Sequence, residues 1–277
     1  MQSGLYIVAT PIGNMGDITT RAVEILTAAD AVACEDTRIT GKLLRHHGIS
    51  SQLVRYDEHN APKSRPGLIK RLQAGEIVAL VSDAGTPLVS DPGYKLVREA
   101  VDAGIQVYPL PGASSVLAAL SVAGLPSDRF LFAGFLPPKQ AARRSELNEL
   151  GEIKATLVFL ESAKRLAASL ADMAVVYGDR QAAVCRELTK LYEEVRRGEL
   201  PALAAHYAEA GAPKGEIVIV VGPPTGNHQE IDIDAALEAL LDDHSVKEAA
   251  ALVAAQSGKP KREVYARALV LKGAKSK

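Results

Sequence analysis

Short apolar runs, each closed by small turn-forming residues and followed by an amphipathic stretch, recur along this chain and restrict it to alternating strands and helices. The clearest is Ile77-Val78-Ala79-Leu80-Val81, apolar at every position, as in strands covered by helices on both faces. Leu5–Thr10, Ala31–Cys34 and Ile105–Leu110 read the same way. Between them lie helical patterns at Thr19–Ala29, Thr37–His47, Lys63–Ala74 and Lys95–Ala103. Gly48, Gly75 and Gly104 follow three of these, where a left-handed residue closes a helix. Further strand candidates are Phe130–Ala133, Thr156–Leu160, Ala182–Arg186 and Glu216–Val221. The expected fold class is α/β with largely parallel sheets.

A chain of 277 residues exceeds one small module. Prolines punctuate it at Pro109-Leu110-Pro111-Gly112, and a turn-rich linker stands at Gly222-Pro223-Pro224-Thr225-Gly226-Asn227. Three segments are therefore expected: 1–111, 112–225 and 226–277. In the last, six acidic residues and no Lys or Arg fall between His228 and His244, then eight basic and two acidic residues between Ser245 and Lys277. Ser245-Val246-Lys247-Glu248 fits a capping box. Gly258 would end that helix and Pro260 open the next, giving a helix–turn–helix.

The net charge of -1 excludes a global basic field, so any polyanion surface must be local. Arg38 to Arg71 supply one, with eight basic residues against two acidic ones. Cys34 and Cys185 are too few for a disulfide framework. With no membrane-length apolar run and no basic leader before Leu5, a cytoplasmic protein is expected. His46-His47 lack the spacing of a metal pair, and no metal is expected.

The densest motif is Ser82-Asp83-Ala84-Gly85-Thr86-Pro87-Leu88-Val89-Ser90-Asp91-Pro92-Gly93, between a buried strand and a helix. In open α/β sheets ligands bind at that edge; a structural turn with two Asx caps is the alternative. Thr10-Pro11-Ile12-Gly13-Asn14-Met15-Gly16-Asp17 and Pro111-Gly112-Ala113-Ser114-Ser115 are further strand-to-helix turns. The first reads equally as a turn capped by Asp17 or Thr19, the second as free amides able to hold a carboxylate or hydroxyl. Neither is a phosphate-cradling motif. Glu35-Asp36-Thr37-Arg38 places two carboxylates and a guanidinium at a strand end. Arg38 can hold a phosphate and an acid there can activate a hydroxyl; an Asp36 helix cap with a local salt bridge explains the same residues. His59 is a candidate base in a polar loop.

Together these residues carry a resemblance. Asp83-Ala84-Gly85-Thr86-Pro87 with Ser90-Asp91-Pro92-Gly93 resembles the signature of the ribosomal RNA small subunit methyltransferase I family, within the tetrapyrrole-methylase-like class III methyltransferases. Thr10–Asn14, Glu35–Arg38, His59-Asn60, Pro111–Ser114 and the terminal helix pair follow in matching order, although Ala61 stands where an acidic residue is expected. The resemblance implies two α/β domains with S-adenosylmethionine in the cleft between them, a C-terminal helical appendage, and 2′-O-methylation of a cytidine in 16S rRNA of the 30S subunit. It implies cofactor contacts from Pro11, Gly13, Asp83, Ala84, Gly85, Pro87, Leu88, Ser114 and Ser115, and from Leu160, Glu161 and Glu187 in the second domain. Glu35, Asp36, Arg38 and His59 are the expected catalytic residues. Arg38, Lys42, Arg45, Lys259, Lys261, Arg262 and Arg267 are expected to meet RNA, and a homodimer is the expected assembly. A corrinoid-type small-molecule methylase of the same fold, or a non-catalytic RNA-binding protein, are the alternatives.

Overall fold

Strands apolar at every position need helices on both sides, and the first half of the chain supplies them. A computed structural model describes residues 1–224, 232–241, 244–257 and 261–275. It divides into two units, Met1–Pro223 and Pro224–Lys277. In the larger unit β1 (Gly4–Val8), β2 (Ala31–Cys34), β3 (Leu53–Arg55), β4 (Ile77–Val81) and β5 (Val107–Leu110) form one sheet in the order β3-β2-β4-β1-β5. Every neighbouring pair is parallel. The pleat sends Tyr6, Val8, Ala79 and Val81 against α1 (Thr20–Ala28) and α2 (Thr37–His46). It sends Leu5, Val78 and Leu80 against α3 (Ala61–Gln73) and α4 (Tyr94–Asp102). Because the strands are parallel, all five C-terminal ends share one edge, and the five following turns are gathered there.

Gly48, Gly75 and Gly104 take the expected positive φ after α2, α3 and α4. Thr19, not Asp17, caps α1, accepting from the Ala22 N–H, while Asn14 caps a short 3₁₀ turn over Met15–Asp17. β1 stops two residues short of the expected Thr10, because Thr10 leaves the sheet to pair with Gly85.

The second sheet departs from the expected parallel pattern. β6 (Phe130–Phe135), β7 (Thr156–Ser162), β8 (Gln181–Arg186), β9 (Glu194–Glu199) and β10 (Glu216–Val221) lie in the order β6-β7-β10-β8-β9. Only β6 and β7 pair in parallel; β10 runs against β7 and β8, and β9 against β8. The short turn between β8 and β9 cannot make the crossover that a parallel pair requires. One face carries α5 (Ser115–Ala123). The other carries α6 (Gln140–Gly151), α7 (Leu166–Tyr177) and α8 (Leu200–Ala210). Between α6 and α7 a carboxylate is buried with its partners: Asp172 pairs with Arg143 at 2.5 Å and Arg144 at 2.6 Å, and accepts from Gln140.

The smaller unit has α9 (Ile233–Leu240), α10 (Val246–Ser257) and α11 (Lys261–Lys275) around Leu237, Ala249, Val253, Val264 and Ala268. The acidic segment supplies α9, the acidic helix expected to precede the basic pair. The capping box forms: the Glu248 N–H donates to Ser245 Oγ, and the Ser245 N–H donates to Glu248 Oε2 at 3.1 Å. Thr225–Asn227 of the linker, Gly258, Lys259 and Pro260 lie outside the described residues. Among the described residues no helix is long and apolar enough to cross a membrane.

Candidate functional site

The turns after β1, β4 and β5 are stitched to one another at the C-terminal edge of the first sheet. Thr10 and Gly85 exchange backbone hydrogen bonds of 2.9 and 3.0 Å, and Thr10 Oγ1 donates to the Ser82 carbonyl. Thr86 Oγ1 donates to the Ala113 carbonyl at 3.1 Å. Glycine suits position 85 because its φ is +81°, a left-handed conformation that side chains rarely adopt. Among the described residues four other than glycine have positive φ: Leu88 and Ser90 in the turn after β4, and Glu187 and Thr189 after β8. Such strain collects at functional sites, and both turns flank the same cleft.

Two adjoining cavities fill that cleft. The larger, ≈ 420 Å³, is bounded by Ile12, Ala84 and Ser115 on one side and by Phe135, Leu160–Ala163, Cys185, Leu188 and Gly215–Val218 on the other. The second, ≈ 370 Å³, is lined by Thr10–Gly13, Met15, Ser82–Ala84, residues of α2, Lys190 and Glu216. They share Ile12, Ala84 and Glu216, so they form one space of the size small-molecule ligands occupy. Of the expected cofactor contacts, Pro11, Gly13, Asp83, Ala84, Ser115, Leu160 and Glu161 line it. Gly85, Pro87, Leu88, Ser114 and Glu187 do not. Gly85 ties the turns together, Ser114 caps α5, and Glu187 accepts from Lys190 Nζ and the Glu216 N–H. The Glu161 carboxylate is buried, accepting from the Ser162 N–H and Ser169 Oγ and pairing with Arg165 at 3.3 Å.

Lys190 is a charged lining residue with no signal in the sequence. Its stem crosses so close to Gly13 that any Cβ there would collide with it. Its ammonium bonds Glu187 at 2.8 Å and Glu216 at 3.1 Å. Only the fold brings β1, the turn after β8 and the start of β10 together.

Around Asp83 of the second cavity stand acids from three turns, those after β2, β3 and β4. Asp83 Oδ1 accepts from the Asp36 N–H at 2.9 Å. Asp36 caps α2 by accepting from the Arg38 N–H, and pairs with the Arg38 guanidinium at 2.5 Å. That hydrogen bonding holds Asp36 well below the usual carboxylate range. Glu35 goes the other way: burial raises its pKa, reinforced by the charges of Asp83, Asp91, Asp57 and Asp36. Burial raises Asp83 and Asp91 likewise. His59 is exposed, its N–H donating to Asp57, and lines neither cavity.

The basic segment is partly neutralised within the chain. Arg38, Arg55, Arg65 and Arg71 pair with Asp36, Asp57, Glu99 and Glu76. Lys42 and Arg45 are exposed and, among the described residues, have no ion-pair partner. In the smaller unit Arg267 is bound to Asp234 of α9, whereas Lys247, Lys261, Arg262 and the exposed Tyr265 share one open concavity. Lys247, on α10, and Tyr265, on α11, were not expected there; the packing of the two helices brings them to the same concavity.

Comparison with known proteins agrees with this geometry. The family model of Tetrapyrrole (Corrin/Porphyrin) Methylases matches residues 4–204, and that of the RsmI C-terminal HTH domain matches residues 227–272. Among solved structures, a cobalt precorrin-4 methyltransferase has a TM-score of 0.59 at 19% identity, covering 79% of this chain and 94% of its own. A Thermus thermophilus uroporphyrin-III C-methyltransferase complexed with S-adenyl homocysteine has a TM-score of 0.55 at 19% identity, covering 78% and 96%. These share the fold. The ribosomal RNA small subunit methyltransferase I of Mesorhizobium japonicum is 54% identical over 274 residues, 98% of this chain and 93% of that one. With both segments matched in order and a relative of that identity covering 98% of the chain, the chain belongs to the ribosomal RNA small subunit methyltransferase I family.

Proposed function

We propose that this methyltransferase moves the methyl group of S-adenosylmethionine to the ribose 2′-hydroxyl of a cytidine in 16S rRNA of the small ribosomal subunit. The observation that carries this is the single cleft built from the stitched turns of one sheet and the β7, β8 and β10 edge of the other. The cleft fits the cofactor. No Lys or Arg lines its larger cavity, and the Lys190 ammonium of the second is held by two carboxylates, so a sulfonium cation meets no uncompensated positive charge. When bound, the cofactor supplies an electrophilic methyl; Ile12, Asp83, Ala84, Ser115 and Leu160 are the residues that would hold it.

The chain's own part is alignment and proton removal. Glu35, raised in pKa at the end of β2, is the group suited to accept the hydroxyl proton. Asp36 is not, because Arg38 and the helix amides occupy it. Asp83 anchors the Asp36 backbone and so fixes the turn that carries Glu35. Arg38, with 85% of its side chain exposed, Lys42 and Arg45 are placed to meet phosphates. Lys247, Lys261, Arg262 and Tyr265 offer a second surface for RNA; it favours this substrate over a tetrapyrrole, which needs no such appendage. We place the reaction in the cytoplasm and the enzyme in a homodimer, to be checked by sedimentation velocity. The decisive experiment incubates the protein with labelled cofactor and undermethylated 30S subunits and maps the label. A 2′-O-methylcytidine in 16S rRNA is expected; label on a base, or none, would overturn the reading.

A further inference from the structure

A third cavity, ≈ 210 Å³, opens on the same sheet edge between the turns after β3 and β4, walled by Tyr56, Glu58, Arg65, Asp91 and Tyr94 among others. It shares no lining residue with the cofactor cleft. Its groups have both hydrogen-bonding senses. Arg65 is held in place: its Nε donates to Glu99 at 2.6 Å and its guanidinium lies against the Tyr56 hydroxyl, a side chain only 1% exposed. Asp91 is half-buried, and no ion pair is formed between it and Lys95, which lines the same cavity. At the mouth stands Tyr94, the first residue of α4 and 65% exposed. A fixed donor, available carboxylate acceptors and an unpartnered aromatic ring are what proteins present to a base splayed out of single-stranded RNA.

The position agrees with the chemistry. In the order β3-β2-β4-β1-β5 the cofactor turns follow β4, β1 and β5, and Glu35 follows β2. The turns that wall this cavity, after β3 and β4, stand on either side of β2, so a ribose presented to Glu35 has this cavity beside it and the cofactor turns towards β1. We propose that the cavity takes the base of the acceptor nucleotide, an unstacked pyrimidine whose exocyclic amine donates to Asp91 and whose ring lies against Tyr94. This rests on the reaction proposed above. At half the volume of the main cavity the space suits one ring. An acceptor-only carboxylate favours cytosine, whose Watson–Crick edge carries an amine where uracil carries a carbonyl.

The test uses the full chain and undermethylated 30S subunits with cytidine or uridine at the acceptor position. Wild type is expected to prefer cytidine by about tenfold in kcat/KM. Tyr94→Ala, an exposed change that leaves the core intact, is expected to raise KM for subunits about tenfold with cofactor affinity unchanged. Asp91→Ala should erase the preference for cytidine, and Asp91→Asn, whose amide can donate to the uracil carbonyl as well as accept from the cytosine amine, should weaken it. Wild-type KM in Tyr94→Ala together with an intact preference in Asp91→Ala would overturn the assignment. Should Asp91→Ala not fold, the KM of Tyr94→Ala decides alone. A wild-type protein that binds cofactor yet methylates neither subunit would refute the reaction itself, an outcome distinct from active variants with unaltered constants.

Discussion

Glu35 and Asp36 are chain neighbours that titrate in opposite directions, because one faces burial and four acids while the other faces an arginine. A base must be ionised to act, so the acid limb of the kcat profile is expected above the ordinary glutamate range, about 4.3. Glu35→Gln should lower kcat by about a hundredfold or more, abolish that limb and leave cofactor affinity unchanged. Single-turnover rates between pH 4 and 9 check this; a limb that persists in the variant would transfer the role to another group. Asp83→Ala tests the cofactor side. Loss of a charged hydrogen-bonding group from the cleft should weaken S-adenosylmethionine binding roughly tenfold, read by calorimetry, with the melting temperature of the free protein little changed.

Among the elements, α6 and α7 are held by the buried Asp172 carboxylate. Burial works against its charge, but hydrogen bonds from Arg144, Arg143 and Gln140 outweigh it and hold its pKa below the normal value. A lowered folded-state pKa gives stability that is complete above the unfolded value of about 3.9 and fades as pH falls through the folded one. Asp172→Asn should therefore cost about 3–5 kcal/mol at neutral pH, since it strands the arginines, and flatten the loss of stability below about pH 4. Urea denaturation at pH 7 and pH 3 measures both. How much of this was legible in the sequence depends on how local each cause is. The Ser245–Glu248 box and the glycines closing α2, α3 and α4 act within one turn of chain, and they stand where the pattern puts them. The stitched turns were legible as ligand-prone because small residues followed apolar strands. β9 was not: Glu194-Val195-Arg196-Arg197-Gly198-Glu199 is an edge strand whose charges are there to keep it from pairing with strangers. Nor were the antiparallel pairings of the second sheet, which depend on where β10 inserts, or the Asp172 cluster, formed across residues far apart in the chain.

For the molecule as a whole, the proposed substrate would make association with subunits a matter of counterions, released at Lys42 and Arg45 on one surface and at Lys247, Lys261 and Arg262 on the other. Removing everything after Thr225 should leave cofactor binding intact and weaken binding to 30S subunits. If Lys247, Lys261 and Arg262 each meet one phosphate, it should also flatten the log–log salt dependence by ~2. Binding isotherms at several salt concentrations decide this, and an unchanged slope would return the appendage to a structural role. The place of β10 has a consequence for synthesis. It is the last strand made and the middle one of its sheet, pairing with β7 and β8 on either side. A nascent chain that stops before it does not merely lack a strand; it carries two raw apolar edges, each ready to capture a neighbour. Chains ended at residue 215 should collect in the insoluble fraction while chains ended at 225 stay soluble. Because Gly215–Val218 also wall the larger cavity, a growing chain completes that cavity at the same step that removes its tendency to aggregate.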